Sequence, residues 1–405
     1  MTGPGLVIRQ LTEDDDLEAE VELRRQAFGP VNDAERGRTL AMAADSARAG
    51  RHLGAFDGQR MIGAARYLDM RQWWHGRSIR MAGVSGVKVA PEVRGRGVGK
   101  ALMTELLGLI AGRGYPVSVL YPATTPIYRS LGWELAGGRY EAALPARSLG
   151  SLLPPEIGAQ PARASLRRAG PDDAAEVIEV TGAVHETARH CGAATRSAAD
   201  LRRWLSDPRL SCYLAADGFL AYRWHGDSEI MVERALAASA QTTRAIWAVV
   251  ASHASIAGRV RARLAPGDPV GWLTREADLG LVDRRHWMLR VLDAPAAIAA
   301  RGFPGATRVT TAIRLDDASI PANSGLWMLE VSGGKGILNP GRADVRAPVP
   351  AVPPVSLGAR GFAALYSGTP IQTLRTAGLA AGGDPVTDDA LDCAFAGTPF
   401  LLDYF

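Results

Sequence analysis

The chain has 405 residues, of which 47% are hydrophobic and 22% are charged, the composition of an ordinary globular protein and not of a disordered one. At roughly 100–200 residues per domain, this length predicts two to four domains. The formal net charge is only +4, from 46 basic and 42 acidic side chains, so dedicated nucleic-acid binding is not indicated.

Cysteines and apolar runs indicate the compartment. Cys191, Cys212 and Cys393 are far apart and odd in number, which fits a reducing compartment better than a disulfide framework and gives no zinc-binding spacing. Residues 1–11 lack the basic and apolar layout of a signal peptide, and no run reaches the 18 apolar residues of a membrane span. We therefore expect a cytoplasmic protein with no metal, no membrane partner and no nucleic acid.

Two stretches of the chain repeat one pattern about 160 residues apart. In each, a strand-like run and two aspartates lead into a helix, over 17–28 in the first stretch and 174–185 in the second. In each, an alternating strand then ends in Asp-Gly, at Asp57 and at Asp217, and another strand follows, as in a β-hairpin. The pattern predicts two copies of one α/β unit, joined by a proline-containing linker over 144–165.

The segment that couples a strand to a glycine-rich turn and a helix is the most informative. An apolar strand over 84–89 runs into Arg94-Gly95-Arg96-Gly97-Val98-Gly99, and helical patterning begins at Lys100. Glycines let the backbone turn its N–H groups towards one point, and a helix N-terminus adds partial positive charge there. Arg94 and Arg96 add guanidinium groups that suit phosphate oxygens, so the segment predicts an anion cradle.

Two nucleotide-binding patterns fail on spacing, and a plain surface turn is the remaining alternative. Gly99-Lys100 is followed by alanine, not by the magnesium-binding hydroxyl of a Walker loop. Lys100 stands where the dinucleotide pattern needs its third glycine. The pattern that does match is Arg-x-x-Gly-x-Gly, which resembles the acetyl-CoA pyrophosphate loop of the GNAT N-acetyltransferases.

A second motif follows the next predicted strand. Tyr128, Gly132 and Trp133 match the Tyr-x-x-x-Gly-aromatic segment of GNAT proteins, whose tyrosine lies near the coenzyme sulfur. The resemblance implies that Tyr128 is a general acid that protonates the leaving thiolate, although a tyrosine packed against Trp133 is the structural alternative. It also implies coenzyme contacts, with backbone groups used at 87–89, from Val87, Lys88, Val89, Arg94, Gly95, Arg96, Gly97, Val98, Gly99 and Thr124.

Beyond Phe303 the chain changes to a pattern typical of an α+β unit. Two strand-like runs, a proline-rich stretch and three helical patterns follow in this order: 308–315, 326–331, 348–354, 357–366, 370–377 and 388–396. The last residues, 399–405, are strongly apolar, and we expect such a tail to dock inside the protein.

The whole chain resembles the Eis (enhanced intracellular survival) family of GNAT enzymes. The resemblance rests on the loop at 87–99, the turn at 127–128, the stretch 293–302, the pattern Pro321-x-Asn323-x-Gly325-x-Trp327 and the ending at Phe405. It implies tandem GNAT folds, an active α/β unit at 1–150 and a degenerate one at 151–295, followed by a sterol-carrier-protein-like α+β unit at 296–405. The C-terminal carboxylate of Phe405 would then serve as general base.

The Eis resemblance further implies acetyl-CoA as co-substrate, a homohexamer, and acetylation of several amines of aminoglycosides and of lysine side chains. Polycationic acceptors favour an acidic pocket, for which Asp33, Glu35 and Asp403 are candidates, with Trp73 as a wall. The central copy has no Arg-x-x-Gly-x-Gly after its strand at 229–235, so we interpret it as a structural partner. The alternatives are a GNAT enzyme for a small cellular amine or one protein lysine, and a lipid or acyl-CoA binding module.

Overall fold

The computed structural model describes residues 5–152, 166–275, 279–341 and 353–405. The strands are β1 (Leu6–Gln10), β2 (His52–Asp57), β3 (Arg60–Trp74), β4 (Arg77–Val89), β5 (Val117–Leu120), β6 (Glu134–Pro145), β7 (Arg167–Arg168), β8 (Ala194–Thr195), β9 (Ser211–Ala215), β10 (Gly218–His225), β11 (Glu229–Ala237), β12 (Arg259–Leu264), β13 (Gly280–Val291), β14 (Val309–Asp316), β15 (Gly325–Ser332), β16 (Lys335–Pro340), β17 (Val355–Gly358) and β18 (Ala380–Ala381). The helices are α1 (Glu18–Phe28), α2 (Asp33–Arg48), α3 (Val98–Gly112), α4 (Thr125–Arg129), α5 (Ala174–Thr187), α6 (Ala198–Leu205), α7 (Ala240–Ala251), α8 (Val270–Leu273), α9 (Ala294–Ala300), α10 (Ala359–Tyr366), α11 (Ile371–Thr376) and α12 (Pro385–Phe395). Among these helices, none has the length and apolarity needed to cross a membrane.

The predicted repeat is present in the first two units. The hairpin β2–β3 turns after Asp57, and the hairpin β9–β10 turns at Ala216 and the predicted Asp217. In both units a strand is followed by a helix and a parallel strand, β4–α3–β5 in the first and β11–α7–β12 in the second. A crossover through a helix is the usual way to join parallel neighbours.

The two α/β units share one thirteen-stranded sheet and exchange their last strands. The order is β1-β2-β3-β4-β5-β13-β6-β12-β11-β10-β9-β7, with β8 beside β3. Strand β13, from the second unit, lies between β5 and β6 of the first, and β6 in turn pairs with β12 of the second. The exchange buries the sheet edges that each unit would otherwise expose.

The predicted linker is wrong over its first part. Residues 144–145 complete β6, and a 3₁₀-helix covers Ala146–Leu152. Its apolar residues Ala146, Leu149 and Leu152 are buried in the core that the second unit forms around α7. This part of the chain therefore belongs to the sheet and the core, and the remainder of the predicted linker, 153–165, lies outside the described residues.

The third unit has its own sheet, in the order β16-β15-β14-β17-β18, with α10, α11 and α12 packed in the same core. The predicted helix over 357–366 begins two residues late, because Leu357 and Gly358 finish strand β17. A buried ion pair joins this unit to β13, since Arg290 Nη2 lies 2.6 Å from Asp317 Oδ1. The α+β character predicted for this region is observed.

The C-terminal tail, residues 397–405, runs from the third unit back into the first two. The Phe400 amide donates to the Cys191 carbonyl at 3.0 Å, and the Leu401 amide donates to the Gly138 carbonyl at 3.0 Å. Phe400, Leu401 and Leu402 are buried. The tail therefore docks inside the protein, as its apolar sequence predicts.

Candidate functional site

Strand β4 leaves its neighbour β5 halfway along its length. The two strands pair in parallel from Met81 with Val117 to Val84 with Leu120, and β4 then continues for five residues beside β3 alone. A β-bulge at this point, where Gly86 adopts a φ of +64°, bends the strand away. The departure leaves the backbone edge of Val87–Val89 facing a gap, as the sequence interpretation requires.

The glycine-rich turn closes one end of that gap. Gly95 and Gly97 have φ values of +79° and +85°, a conformation that only glycine adopts readily, and Gly97 is the N-cap of α3. Helix α3 starts at Val98, two residues earlier than the predicted Lys100. The first amides of the helix are therefore presented by the turn itself, which is the arrangement that binds phosphate groups.

We call the resulting cavity the loop groove; it has a volume of about 830 Å³. It is lined by the end of β4, the glycine-rich turn and α4. The predicted coenzyme residues Val87, Lys88, Val89, Arg94, Gly95, Gly97, Val98, Gly99 and Thr124 all line it, whereas Arg96 is exposed outside it. A long groove with a positively charged end suits a ligand that has an extended arm and a pyrophosphate.

The side chain of Lys88 points away from this groove into a buried ionic cluster, which we call the Glu20 cluster. Its Nζ lies 2.6 Å from Glu20 Oε1 on α1, and Arg66 Nη1 and His52 Nε2 lie 2.9 and 2.6 Å from the same carboxylate. All four side chains are buried. Lys88 therefore offers the groove its backbone only, while its ammonium anchors β4 to α1.

A second cavity, the tail cleft, opens beside the loop groove and has a volume of about 470 Å³. Tyr128 and Phe28 line both cavities, and Phe405 lines the tail cleft. The ring centroids of Phe405 and Tyr121 are 5.6 Å apart. A β-carbon at Gly83 would lie 3.0 Å from the Phe405 ring. The chain end is thus seated between the cleft and the centre of the first unit.

Tyr128 stands at the junction of the two cavities. Its side chain is 5% exposed, and its ring packs edge-on against Trp133 at a centroid distance of 6.4 Å, so the predicted structural contact is present. Its role as a general acid stays a prediction. Burial raises the pKa of the Tyr128 phenol to about 12. The phenol is therefore protonated at neutral pH, as a proton donor must be.

The acidic residues predicted for the acceptor pocket do not line the tail cleft. Asp33 and Glu35 open helix α2, where Glu35 completes a capping box with Asn32. Asp403 is buried, and its Oδ1 pairs with Arg196 Nε at 2.6 Å and with Arg234. Although burial opposes ionisation, these two arginines lower the pKa of Asp403 to about 2.

Trp73 is also absent from the cleft lining, because its indole bonds to the Thr195 hydroxyl at 2.9 Å, between β3 and β8. The aromatic and basic residues of the lining that the sequence did not indicate are Phe28, Tyr121, Arg285, His286 and Tyr404. Only Tyr404 had a local signal, since it belongs to the apolar tail. Arg285 and His286 reach the cleft through the exchange of β13, which no local pattern indicates.

The central unit lacks a counterpart to the glycine-rich turn. Strand β11 ends at Ala237, and Ser239 caps α7 by accepting a hydrogen bond from the Thr242 amide. Serine takes the place of a turn that would leave the first amides free for a ligand. The geometry therefore supports a phosphate cradle in the first unit and not at this position of the second.

Comparison with known proteins decides the family. The profile described as an acetyltransferase (GNAT) domain matches residues 7–136, a second GNAT profile matches 192–291, and a sterol carrier protein domain matches 294–401. A solved structure of a GCN5-related N-acetyltransferase from Kribbella flavida is 42% identical, covers 99% of this chain and 98% of that chain, and has a TM-score of 0.90. The N-acetyltransferase Eis of Mycobacterium tuberculosis is 28% identical over 271 residues, which are 62% of this chain and 65% of Eis. The chain belongs to the Eis family of GNAT N-acetyltransferases.

An uncharacterized N-acetyltransferase of Streptomyces avermitilis is 28% identical over 360 residues, 83% of this chain and 84% of the relative. Tandem GNAT folds and a sterol-carrier-like unit, predicted for this Eis-family chain, are confirmed. GNAT enzymes use acetyl-CoA, and the lining of the loop groove fits that molecule. The domain limits at 150 and 295 stay predictions, and β13 shows that sequence limits and sheet limits differ here.

Proposed function

We propose that this Eis-family enzyme transfers the acetyl group of acetyl-CoA, held in the loop groove, to a primary amine held in the tail cleft. One observation carries the proposal: Tyr128 lines both cavities, and the C-terminal residue Phe405 lines the second. Donor and acceptor would meet where the cavities join. Holding two reactants in this way supplies much of the rate gain of a bimolecular reaction.

Acetyl-CoA, when bound, supplies a thioester whose carbonyl carbon accepts the amine and whose sulfur leaves as a thiolate. The backbone edge of Val87–Val89 would hold the extended arm, and the turn at Arg94–Gly99 would hold the pyrophosphate. Tyr128 would donate its phenolic proton to the sulfur. The same burial also disfavours a thiolate, which favours its protonation by the phenol.

The base in this proposal is the terminal carboxylate of Phe405. An α-carboxylate has an ordinary pKa of about 3.5 and is ionised at neutral pH. It would accept a proton from the acceptor ammonium, and the neutral amine that results would attack the thioester. The docked tail supports this role because the Phe400 and Leu401 amides are tied to neighbouring strands at 3.0 Å. The Tyr121 hydroxyl adds a bond of 2.6 Å to the Asp403 carbonyl, close to the chain end.

Two acceptor classes follow. The family resemblance favours aminoglycosides, acetylated at several amines, and lysine side chains. A small cellular amine is favoured by a specific observation, since no aspartate or glutamate side chain lines the tail cleft within the part of the chain that the structure describes. We also propose, on the family resemblance, a homohexamer in the cytoplasm.

The test measures coenzyme A release from acetyl-CoA with aminoglycosides, polyamines, lysine peptides and small amines, and counts the acetyl groups in each product by mass spectrometry. Several acetyl groups on aminoglycosides would support the first acceptor class, and turnover confined to small amines the second. Absence of any turnover would overturn the proposal in favour of an acyl-CoA or lipid binding module.

Two changes test the residue roles. Tyr128→Phe removes the acid and an alanine added after Phe405 moves the carboxylate, and we expect each to lower kcat by roughly 10²-fold. Tyr115→Phe alters a buried tyrosine outside both cavities, and Phe405→Leu keeps the carboxylate, so both controls should retain most of the activity. Full activity in either test protein would remove that residue from the mechanism.

A further inference from the structure

The charges of the tail cleft are unlike those of a site for polycations. Its lining contains one arginine, Arg285, and one histidine, His286, and the described part of the chain contributes no aspartate or glutamate side chain to it. The remaining walls are largely apolar or aromatic: Phe28, Tyr121, Leu135, Tyr404 and the Phe405 ring. The terminal carboxylate is thus the anion available for an acceptor ammonium.

The surroundings of the tail strengthen this charge pattern. The guanidinium carbons of Arg139 and Arg285 lie 5.3 and 5.8 Å from the Tyr404 ring centroid. Asp403, the nearest buried carboxylate along the chain, is already shared by Arg196 and Arg234. An acceptor with several ammonium groups would place its second charge among arginines without a partner.

Arg285 itself is available to a ligand. Among the described residues its hydrogen-bond partner is Asp283, at 3.2 Å from Nε, and the two side chains are 55% and 39% exposed. An exposed pair of this kind contributes little and exchanges easily for a better partner. The planar fork of a guanidinium binds a carboxylate or phosphate through two parallel hydrogen bonds.

We infer that the preferred acceptor is an amine on an aromatic or apolar body that also carries an oxyanion, a carboxylate or a phosphate, which Arg285 binds while the terminal carboxylate receives the ammonium. The inference rests on the proposed function and names its substrate class. Aromatic walls would hold the body of the acceptor, and the two opposite charges of the cleft would fix its direction. Arg285 is then a specificity residue and takes no part in the transfer itself.

The test compares acceptors that differ by one anionic group. Benzylamine is paired with 4-(aminomethyl)benzoate and with the corresponding phosphonate, and tyramine with tyrosine, while spermidine and kanamycin represent polycations. We expect the anionic member of at least one pair to have a kcat/KM about tenfold above its neutral partner, chiefly through a lower KM. Comparison of the carboxylate with the phosphonate compound shows which of the two oxyanions the cleft prefers.

Charge reversal at one residue completes the experiment. Arg285→Glu should abolish the preference for anionic acceptors and raise turnover of spermidine. The matched control is Arg284→Glu, the same change one position earlier on β13, because Arg284 stacks on Tyr140 at 5.3 Å and lies outside the cleft lining. Acetyl-CoA affinity, measured by calorimetry, should be equal in both variants since neither residue lines the loop groove.

The outcomes separate the inference from the proposed function. A higher kcat/KM for polycations than for anionic amines, or an acceptor preference unchanged in Arg285→Glu, would overturn the inference and leave the transferase in place. Equal effects of Arg284→Glu and Arg285→Glu would overturn it too, since a general charge effect would then explain the result. Absence of turnover with every acceptor would overturn the proposed function and the inference with it.

Discussion

Glu20 is a buried anion that contacts Lys88, Arg66 and His52, so its removal tests what holds β4 in its divergent course. In Glu20→Gln the neighbouring Lys88 and Arg66 stay buried without their partner, and we expect the free energy of unfolding to fall by about 3–5 kcal/mol. Denaturant titration measures the loss. The KM for acetyl-CoA should rise as well, because Lys88 carries the backbone edge of the loop groove.

The pH dependence of this loss has a definite sign. Burial would raise the pKa of Glu20, but Lys88, His52 and Arg66 together hold it below its ordinary value of 4.5. The stabilisation by the Glu20 carboxylate is therefore fully present above pH 4.5 and declines as the pH falls further. The difference in free energy of unfolding between wild type and Glu20→Gln should therefore become smaller in acid. Glu22→Gln, on the exposed face of the same helix, is the control and should leave stability unchanged. If the difference in free energy of unfolding between wild type and Glu20→Gln did not change with pH, the lowered pKa of Glu20 would be contradicted.

The docked tail depends on a close approach at Gly137 in strand β6. A β-carbon there would collide with the Pro399 carbonyl and lie 2.7 Å from the Trp287 ring. In Gly137→Ala we therefore expect the tail to shift and kcat to fall at least tenfold, since an error of about 1 Å in a catalytic group costs about 10²-fold. Acetyl-CoA affinity should persist, because the loop groove is built from other elements. Steady-state kinetics would measure kcat, and calorimetry on the same protein would measure acetyl-CoA affinity.

Gly280→Ala is the matched control for that substitution. Gly280 also lies in a strand of the shared sheet, at the start of β13, but a β-carbon there meets no atom within 4 Å. Its activity should equal that of the wild type. Unchanged kcat in Gly137→Ala would show that the tail position does not govern the reaction. Loss of acetyl-CoA affinity would show that the substitution disturbs the loop groove as well.

Local chemistry decides how much of this arrangement the sequence predicts. The sequence predicts the turn glycines at 95 and 97 and the hairpin after Asp57, because each has a backbone requirement that few residues meet. The position of Asp403 beside two arginines could not be predicted, since the sequence does not show whether a carboxylate faces a cleft or an arginine pair. The strands that pair with β6 and β13 could not be predicted either, because an alternation of apolar and polar residues predicts a strand but not the sheet edge that it joins.

Exchange of β6 and β13 makes the first two units one folding unit, although the sequence repeats in two parts. A fragment of residues 1–152 retains β6 but lacks β12 and β13, the strands with which β6 pairs. Its β5 also loses β13, and exposed edges of this kind favour aggregation. We expect fragments 1–152 and 166–405 to be aggregated or poorly structured when produced separately, and to assemble when produced together. Size-exclusion chromatography, circular dichroism and coenzyme A release would follow the recovery. A monomeric, folded 1–152 that binds acetyl-CoA would show instead that the active half closes its sheet without β13, and that Arg285 and His286 are brought to the cleft only after folding.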